Sequence, residues 1–229
     1  MSVPAAEDAA SEPSGATAPR KDAEGTELAI DPVSDAAEAA VAAARRLIVS
    51  LLHAERVPAG EMTELAAQLG GLADWLESRV PPVVPEERTW ANRSRADAAL
   101  RNPVNGRQNA IAPGLRIRGM PDGSVAAEVT LGVQYEGPPG CVHGGVSALL
   151  LDHIFGIANF WAGATGPTAE LTLRYRRPTP LFTPLTVRAR QESADGRKLR
   201  ATGTIEAGGK VCVEAEGLFI VKQDFRVRS

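Results

Sequence analysis

The spacing of apolar residues changes near the middle of the chain. Between residues 36 and 80 they recur at helical spacing, which predicts one helix over residues 36–55 and a second over about residues 61–78. Residues 125–135 instead alternate between apolar and smaller or polar side chains, the period of a half-buried strand. Runs of the same kind predict four more strands, over residues 168–177, 185–192, 198–206 and 211–222.

A long apolar segment separates the first of these strands from the other four. It predicts a helix over residues 144–161 that is apolar nearly all round. Such a helix is buried rather than laid on a surface. A curved antiparallel sheet wrapped around one central helix satisfies both observations, so the predicted fold class is α+β.

Composition divides the chain into three parts. Residues 1–35 have almost no large apolar side chains and cannot bury enough surface to offset the entropy of ordering, which predicts a disordered tail. Residues 36–90 are predicted to form an N-terminal helical extension and a connector stiffened by prolines at 81, 82 and 85. Residues 91–229 form the main domain.

The charge of the chain does not predict a nucleic acid as its partner. The net charge is −3, and the first 35 residues hold eight acidic residues against Arg20 and Lys21, which leaves the remainder at +3. That surplus is too small to predict nucleic-acid binding. Residues 63–70 look like the first helix of a helix-turn-helix, but residues 36–80 carry six acids against four arginines, whereas a groove-binding helix is basic.

Other features point to a cytoplasmic protein with no membrane, metal or cofactor partner. The first 20 residues lack the basic and apolar regions of a signal peptide. The two most apolar stretches are interrupted, by Arg45-Arg46 and by Asp152-His153, so neither is expected to span a membrane. Cys141 and Cys212 make neither a disulfide framework nor a cluster with metal-ligand spacing.

The start of the apolar helix carries the candidate chemistry. His143-Gly144-Gly145 places two glycines where backbone N–H groups are unpaired and the helix end is partly positive. Those features suit a carbonyl oxygen that becomes negative during a reaction, although two glycines equally permit a tight turn or close packing. Asp152 lies in the middle of the helix, where a carboxylate is costly unless it is paired or used. It either bonds to a neighbour, such as Thr168 or an arginine, or acts in catalysis.

This combination resembles the PaaI-type acyl-CoA thioesterases of the hotdog superfamily. The resemblance rests on His143-Gly144-Gly145, on an acid nine positions after the histidine, and on Thr168 at the start of a strand that ends in Arg177-Pro178. It covers roughly residues 110–222. It implies a hotdog fold over residues 91–229 and hydrolysis of an acyl-CoA to a free acid and CoA.

The resemblance also implies roles for individual residues. Asp152 corresponds to the general base or nucleophile, and the Gly144 amide to the donor for the thioester oxygen. His143 braces the turn or contacts the substrate carbonyl, Gly145 adjoins the substrate, and Thr168 orients the acid or the water. The arginines at 174, 176 and 177 are candidates for the phosphates of CoA, although positive strand ends are also ordinary surface features. One departure is Gly137, where some branches of the family have an asparagine.

Helix geometry predicts that the active unit is a homodimer, possibly arranged as a dimer of dimers. Asp152 is eight residues beyond Gly144, which is about 12 Å along a helix. Both groups must reach one reacting carbon. A two-fold dimer with the two helices antiparallel brings Gly144 of one chain to Asp152 of the other, the shared site that the resemblance implies.

Other functions remain open at this point. A hotdog hydratase would need a Gly-Asp-x-Asn-Pro-x-His motif, which the chain lacks. A non-catalytic acyl-CoA-binding protein or sensor would share the fold and the ligand. His153 is interpreted as structural, and Cys141 as a packing residue.

Overall fold

The computed structural model describes residues 26–27, 33–80 and 99–221. Three helices and seven strands are assigned within them, together with a short 3₁₀ turn, Val133–Tyr135. In chain order they are β1 (Thr26–Glu27), α1 (Asp35–Leu51), α2 (Ala59–Glu77), β2 (Arg116–Gly119), β3 (Val125–Thr130), α3 (Gly144–Trp161), β4 (Thr168–Tyr175), β5 (Pro184–Asp195), β6 (Lys198–Ala207) and β7 (Lys210–Ile220).

The strands form a single antiparallel sheet with the order β1-β2-β3-β5-β6-β7-β4. Strands β5, β6 and β7 follow one another as a meander. The β6–β7 hairpin turns at Gly208 and Gly209, whose φ angles are +54° and +73°. Two adjacent residues with positive φ define the turn that best matches the twist of a two-stranded hairpin, and glycine adopts it without strain. Strand β4 follows α3 in the chain and pairs with β7, at the edge of the sheet opposite β1.

Helix α3 lies across the inner face of the sheet and forms the centre of the core. Leu150, Leu151, Ile154 and Phe155 are each 0% exposed. The Phe155 ring packs on β6 and β7 at Gly203 and Gly217. A Cβ at either glycine would come within 2.7 Å of the ring, so only glycine leaves room for it. The predicted curved sheet around a buried helix, the hotdog fold, is therefore confirmed.

The N-terminal extension contacts the main domain through α1. Arg45 donates to the carbonyl of Asn109 at 3.0 Å, and Glu38 forms an ion pair with Arg107. Neither α1 nor α2 contains a buried residue, and Leu72, Trp75 and Leu76 of α2 are more than half exposed. No helix within the described part of the chain is long and apolar enough to cross a membrane.

Several element boundaries differ from the sequence prediction. The predicted disordered tail over residues 1–35 falls mostly on residues 1–25 and 28–32, which lie outside the described part. Within the described part, Thr26–Glu27 pairs with β2 and α1 begins at Asp35. Helix α1 ends at Leu51 rather than at residue 55. The strand predicted over residues 125–135 ends at Thr130, and a 3₁₀ turn takes up the last three positions. The proline-rich connector falls among residues 81–98, which are not described.

Candidate active site

His143 caps the N-terminus of α3 and orders the turn that enters it. Its backbone is extended, with φ −61° and ψ 134°, and its Nδ1 accepts the N–H of Gly145 at 3.0 Å. The His143 carbonyl accepts from the N–H groups of Val146 and Ser147. Among the residues that the structure describes, the Gly144 N–H makes no hydrogen bond. The helix therefore presents one unpaired amide at its partly positive end.

Asp152 is half-buried and is bonded by Thr168, whose Oγ1 donates to Asp152 Oδ1 at 2.7 Å. The contact depends on a β-bulge between Thr168 and Glu170. Because of this bulge, Thr168 pairs with Phe219 and Leu171 with Gly217, so both face the helix although they are three positions apart. A regular strand would aim them at opposite faces. No other hydrogen bond to the Asp152 carboxylate is seen within the described residues, which leaves its Oδ2 available to a further donor.

His153 follows Asp152 but turns toward the protein interior. Burial lowers the pKa of its imidazole to about 4, with the Asp152 charge opposing the shift, so the ring is neutral at pH 7. Its Nε2 is buried and has no partner in the part of the chain that is described. The location favours the structural interpretation of His153.

A pocket of about 480 Å³ opens beside the N-terminus of α3. Gly144 and the buried Ser147 line it from the helix, and Arg176 and Arg177 line it from the end of β4. The free thiol of Cys141 is also in its wall. The pocket therefore joins the unpaired amide to two basic side chains.

The three candidate arginines have different surroundings. Arg174 forms an ion pair with Glu216 across β4 and β7 at 2.8 Å and does not line the pocket. Arg176 pairs with Glu214 at 2.8 Å, and Arg177 donates to the carbonyl of Val211. The two ion pairs are exposed to solvent, and exposed pairs contribute little to stability. Each arginine can therefore release its glutamate and bind another anion. The pocket places Arg176 and Arg177, but not Arg174, beside the amide.

Tyr175 belongs to the same site, and the sequence analysis did not select it. It is the last residue of β4, lines the pocket, and donates its hydroxyl to the Gly144 carbonyl at 2.9 Å. Its only sequence signal was its position among the arginines of that strand. A tyrosine in a strand is ordinary, so nothing in the pattern distinguished it.

The local structure explains why a glycine occupies position 137. A Cβ at this position would come within 2.7 Å of the His143 Cα. The chain passes so close to the helix entry here that the asparagine found in some family branches would force the His143 turn to move. The site must therefore work without a side-chain amide at position 137.

One chain does not bring all of these groups together. Thr168 joins Asp152 at the start of β4, and Tyr175 joins Gly144 at its end. Gly144 and Asp152 lie on one continuous helix, about 12 Å apart along its axis. No group of His, Cys, Asp and Glu side chains that could hold a metal ion occurs in the described ranges.

Two family models match the chain. The model of the thioesterase superfamily matches residues 139–214, a stretch that includes Gly144, Asp152, Thr168 and Tyr175. The N-terminal helical domain of hypothetical protein RHA1_ro05818 matches residues 28–85.

Individual proteins give a similar result. The crystal structure of protein RHA08564, a thioesterase superfamily protein, is 44% identical, covers 86% of this chain and 96% of that chain, and superimposes with a TM-score of 0.76. Acyl-coenzyme A thioesterase THEM4 is 34% identical over 91 residues in Rattus norvegicus and 33% in Xenopus laevis. Each match covers 39% of this chain, and it covers 39% of the rat protein and 41% of the Xenopus protein, so the chain spans less than half the length of these curated relatives.

Proposed function

Because the chain belongs to the thioesterase superfamily, we propose that it hydrolyses an acyl-CoA thioester to a free acid and CoA. The observation that carries the proposal is the unpaired Gly144 amide at a helix end that opens into a pocket. A hydrogen-bond donor aimed at the place where charge develops is the largest single contribution in most acyl-transfer enzymes.

The Gly144 N–H is the proposed donor to the thioester oxygen. As the carbonyl carbon becomes tetrahedral, this oxygen gains negative charge, and the positive end of α3 stabilises it further. His143 supports the donor by capping the helix, since its Nδ1 is already occupied by the Gly145 N–H. Gly145 adjoins the thioester and has no side chain to obstruct it.

Asp152 is the proposed base or nucleophile. As a base, it takes a proton from water while the water oxygen bonds to the carbonyl carbon; the C–S bond then breaks and CoA leaves as the thiol after gaining a proton. As a nucleophile, its carboxylate oxygen bonds to the carbonyl carbon, the C–S bond breaks, and CoA leaves as a thiolate that gains a proton. Water then hydrolyses the resulting anhydride, which releases the acid and restores the Asp152 carboxylate. In both schemes Thr168 holds Oδ1 and leaves Oδ2 to face the substrate.

We place this site between two protomers of a homodimer. The two essential groups are too far apart within one helix to reach the same carbon. Strand β4 has pairing on one edge only among the described strands, and its inward-facing Leu171 and Leu173 are only half-buried. A second copy placed along β4 would cover these side chains and bring its own α3 alongside. Two such dimers could pair further into a tetramer.

The basic side chains around the pocket are the proposed contacts for CoA. Arg176 and Arg177 lie at the mouth, where they can exchange their present partners for phosphate oxygens. Arg174 lies further along the strand and would reach only a distal part of the nucleotide. The cytoplasm, where acyl-CoA and free thiols coexist, is the proposed location.

The direct test is release of free thiol from short, medium, long and aromatic acyl-CoAs by the purified chain. We expect turnover with at least one class, at a rate proportional to protein concentration. Saturable binding of an acyl-CoA without thiol release would instead identify a non-catalytic acyl-CoA-binding protein and overturn the proposed activity.

A further inference from the structure

We propose that Tyr175 is a positioning residue that fixes the oxyanion donor without touching the reacting atoms. It does so together with His143, by holding the peptide group between Gly144 and Gly145 at both ends. The inference rests on the proposed function, in which the Gly144 amide is the oxyanion donor. The restraint of the Gly144–Gly145 peptide can nevertheless be measured without measuring activity.

The geometry around this peptide group carries the inference. The N–H of Gly145 donates to His143 Nδ1 at 3.0 Å, and the carbonyl of Gly144 accepts from the Tyr175 hydroxyl at 2.9 Å. These two polar atoms belong to the same planar peptide unit. One side chain comes from the helix cap and the other from the end of β4, so two separate elements restrain one plane.

The need for such a restraint follows from the sequence of the turn. Two consecutive glycines have more backbone freedom than any other pair of residues. A donor that must reorient during the reaction loses most of its effect, because stabilisation of the oxyanion depends on dipoles that are already in place. The Gly144 N–H belongs to the preceding peptide, whose carbonyl, that of His143, accepts from the N–H groups of Val146 and Ser147. Holding the Gly144–Gly145 peptide as well limits rotation about both backbone bonds of the Gly144 Cα, and so limits the directions open to the Gly144 N–H.

The Tyr175 hydroxyl lies close to the space that a side chain at position 144 would occupy. A Cβ at position 144 would lie 3.2 Å from the tyrosine hydroxyl, closer than most real contacts, so the hydroxyl approaches through space that only glycine leaves open. In the single chain Tyr175 is 57% exposed, so within one protomer its position over the helix entry is set by the hydroxyl contact and not by packing of the ring. The hydroxyl is therefore the functional part of the side chain.

Strand β4 then acts on both halves of the proposed chemistry. Its first residue, Thr168, bonds to the carboxylate of Asp152, and its last residue, Tyr175, bonds to the carbonyl of Gly144. The strand thus sets the position of the acid and of the amide relative to the sheet. Because the active unit is proposed as a dimer, each β4 supports one component of each of the two sites.

The test is Tyr175→Phe, which removes the hydroxyl and keeps the ring. We expect kcat to fall about tenfold with KM changed less than about twofold, because the lost bond orients a transition-state donor and does not bind substrate. Tyr135→Phe is the matched control: its hydroxyl also donates to a backbone carbonyl, that of Ile111 at 2.8 Å, away from the pocket, and we expect kcat to be unchanged.

A second readout does not depend on activity. Hydrogen exchange of the Gly145 amide should be faster in Tyr175→Phe than in the wild type or Tyr135→Phe, since the peptide loses one of its two restraints. In kinetics, the loss in the double variant His143→Ala/Tyr175→Phe should be smaller than the product of the single losses, because both side chains hold one peptide.

The outcomes separate the two proposals. Unchanged exchange at Gly145 in Tyr175→Phe overturns the positioning role whatever happens to activity, and so does a rise in KM with kcat preserved, which would indicate direct substrate contact. If the wild type releases no thiol from any acyl-CoA but the Gly145 amide still exchanges faster in Tyr175→Phe, the proposed function is overturned and the positioning role of Tyr175 stands.

Discussion

Replacing Asp152 with asparagine is expected to lower kcat for acyl-CoA hydrolysis by about a thousandfold, the range for loss of a general base or nucleophile. Asparagine has nearly the same shape and still offers an oxygen to the Thr168 hydroxyl, which bonds to Oδ1 of the aspartate. The fold and the oligomeric state should therefore persist. Initial rates of thiol release under saturating acyl-CoA measure the effect.

The matched control is Asp195→Asn, at the exposed end of β5, which makes the same chemical change away from the pocket. We expect its kcat to stay within about twofold of the wild type, as for ordinary surface substitutions. An Asp152→Asn enzyme that keeps a tenth or more of wild-type kcat would show that the acid is a structural partner of Thr168 and that another group activates the attack.

Gly144→Pro is expected to lower kcat/KM by about 100- to 1,000-fold, the usual effect of losing one oxyanion donor. Proline removes the one backbone N–H in question. It also suits this position, because Gly144 is the first residue of the helix and does not have a positive φ. His143 already has the extended backbone that a residue before proline adopts, with φ −61° and ψ 134°.

Gly144→Ala is the control for the added Cβ. Alanine keeps the N–H and places a Cβ 3.2 Å from the Tyr175 hydroxyl, so a loss caused by crowding at the Cβ appears in both variants. We expect alanine to retain at least ten times the kcat/KM of proline. Equal losses in the two variants would mean that space at Gly144 matters and its amide does not.

The parts of the structure that were predictable from sequence are those set by local pattern. Helix α3 begins at Gly144 and ends at Trp161, as the apolar run predicted, because a helix that is apolar on all sides has one stable place, inside the sheet. The meander of β5, β6 and β7 followed from glycine-containing turns between alternating segments. The contact of Asp152 with Thr168 was expected under both interpretations of the acid, as a structural partner and as a catalytic group.

The parts that were missed depend on strand register. Tyr175 reaches Gly144 across 31 positions of sequence, and Arg174 meets Glu216 across 42, distances over which no local pattern reports a contact. Register is decided by pairing over the whole sheet, and the bulge in β4 shifts it by one residue. Strands β1 and β2 were missed for a related reason, since two and four residues are too short to show a period.

The central claim is that each site combines the Gly144 amide of one protomer with the Asp152 carboxylate of the other. It is tested most directly by a purified heterodimer of one Gly144→Pro chain and one Asp152→Asn chain, carrying different affinity tags. In a two-fold dimer one site collects both substitutions and the other collects neither, so we predict about half of the wild-type activity per dimer, although each homodimer is nearly inactive. A heterodimer as inactive as the two homodimers would contradict the shared site.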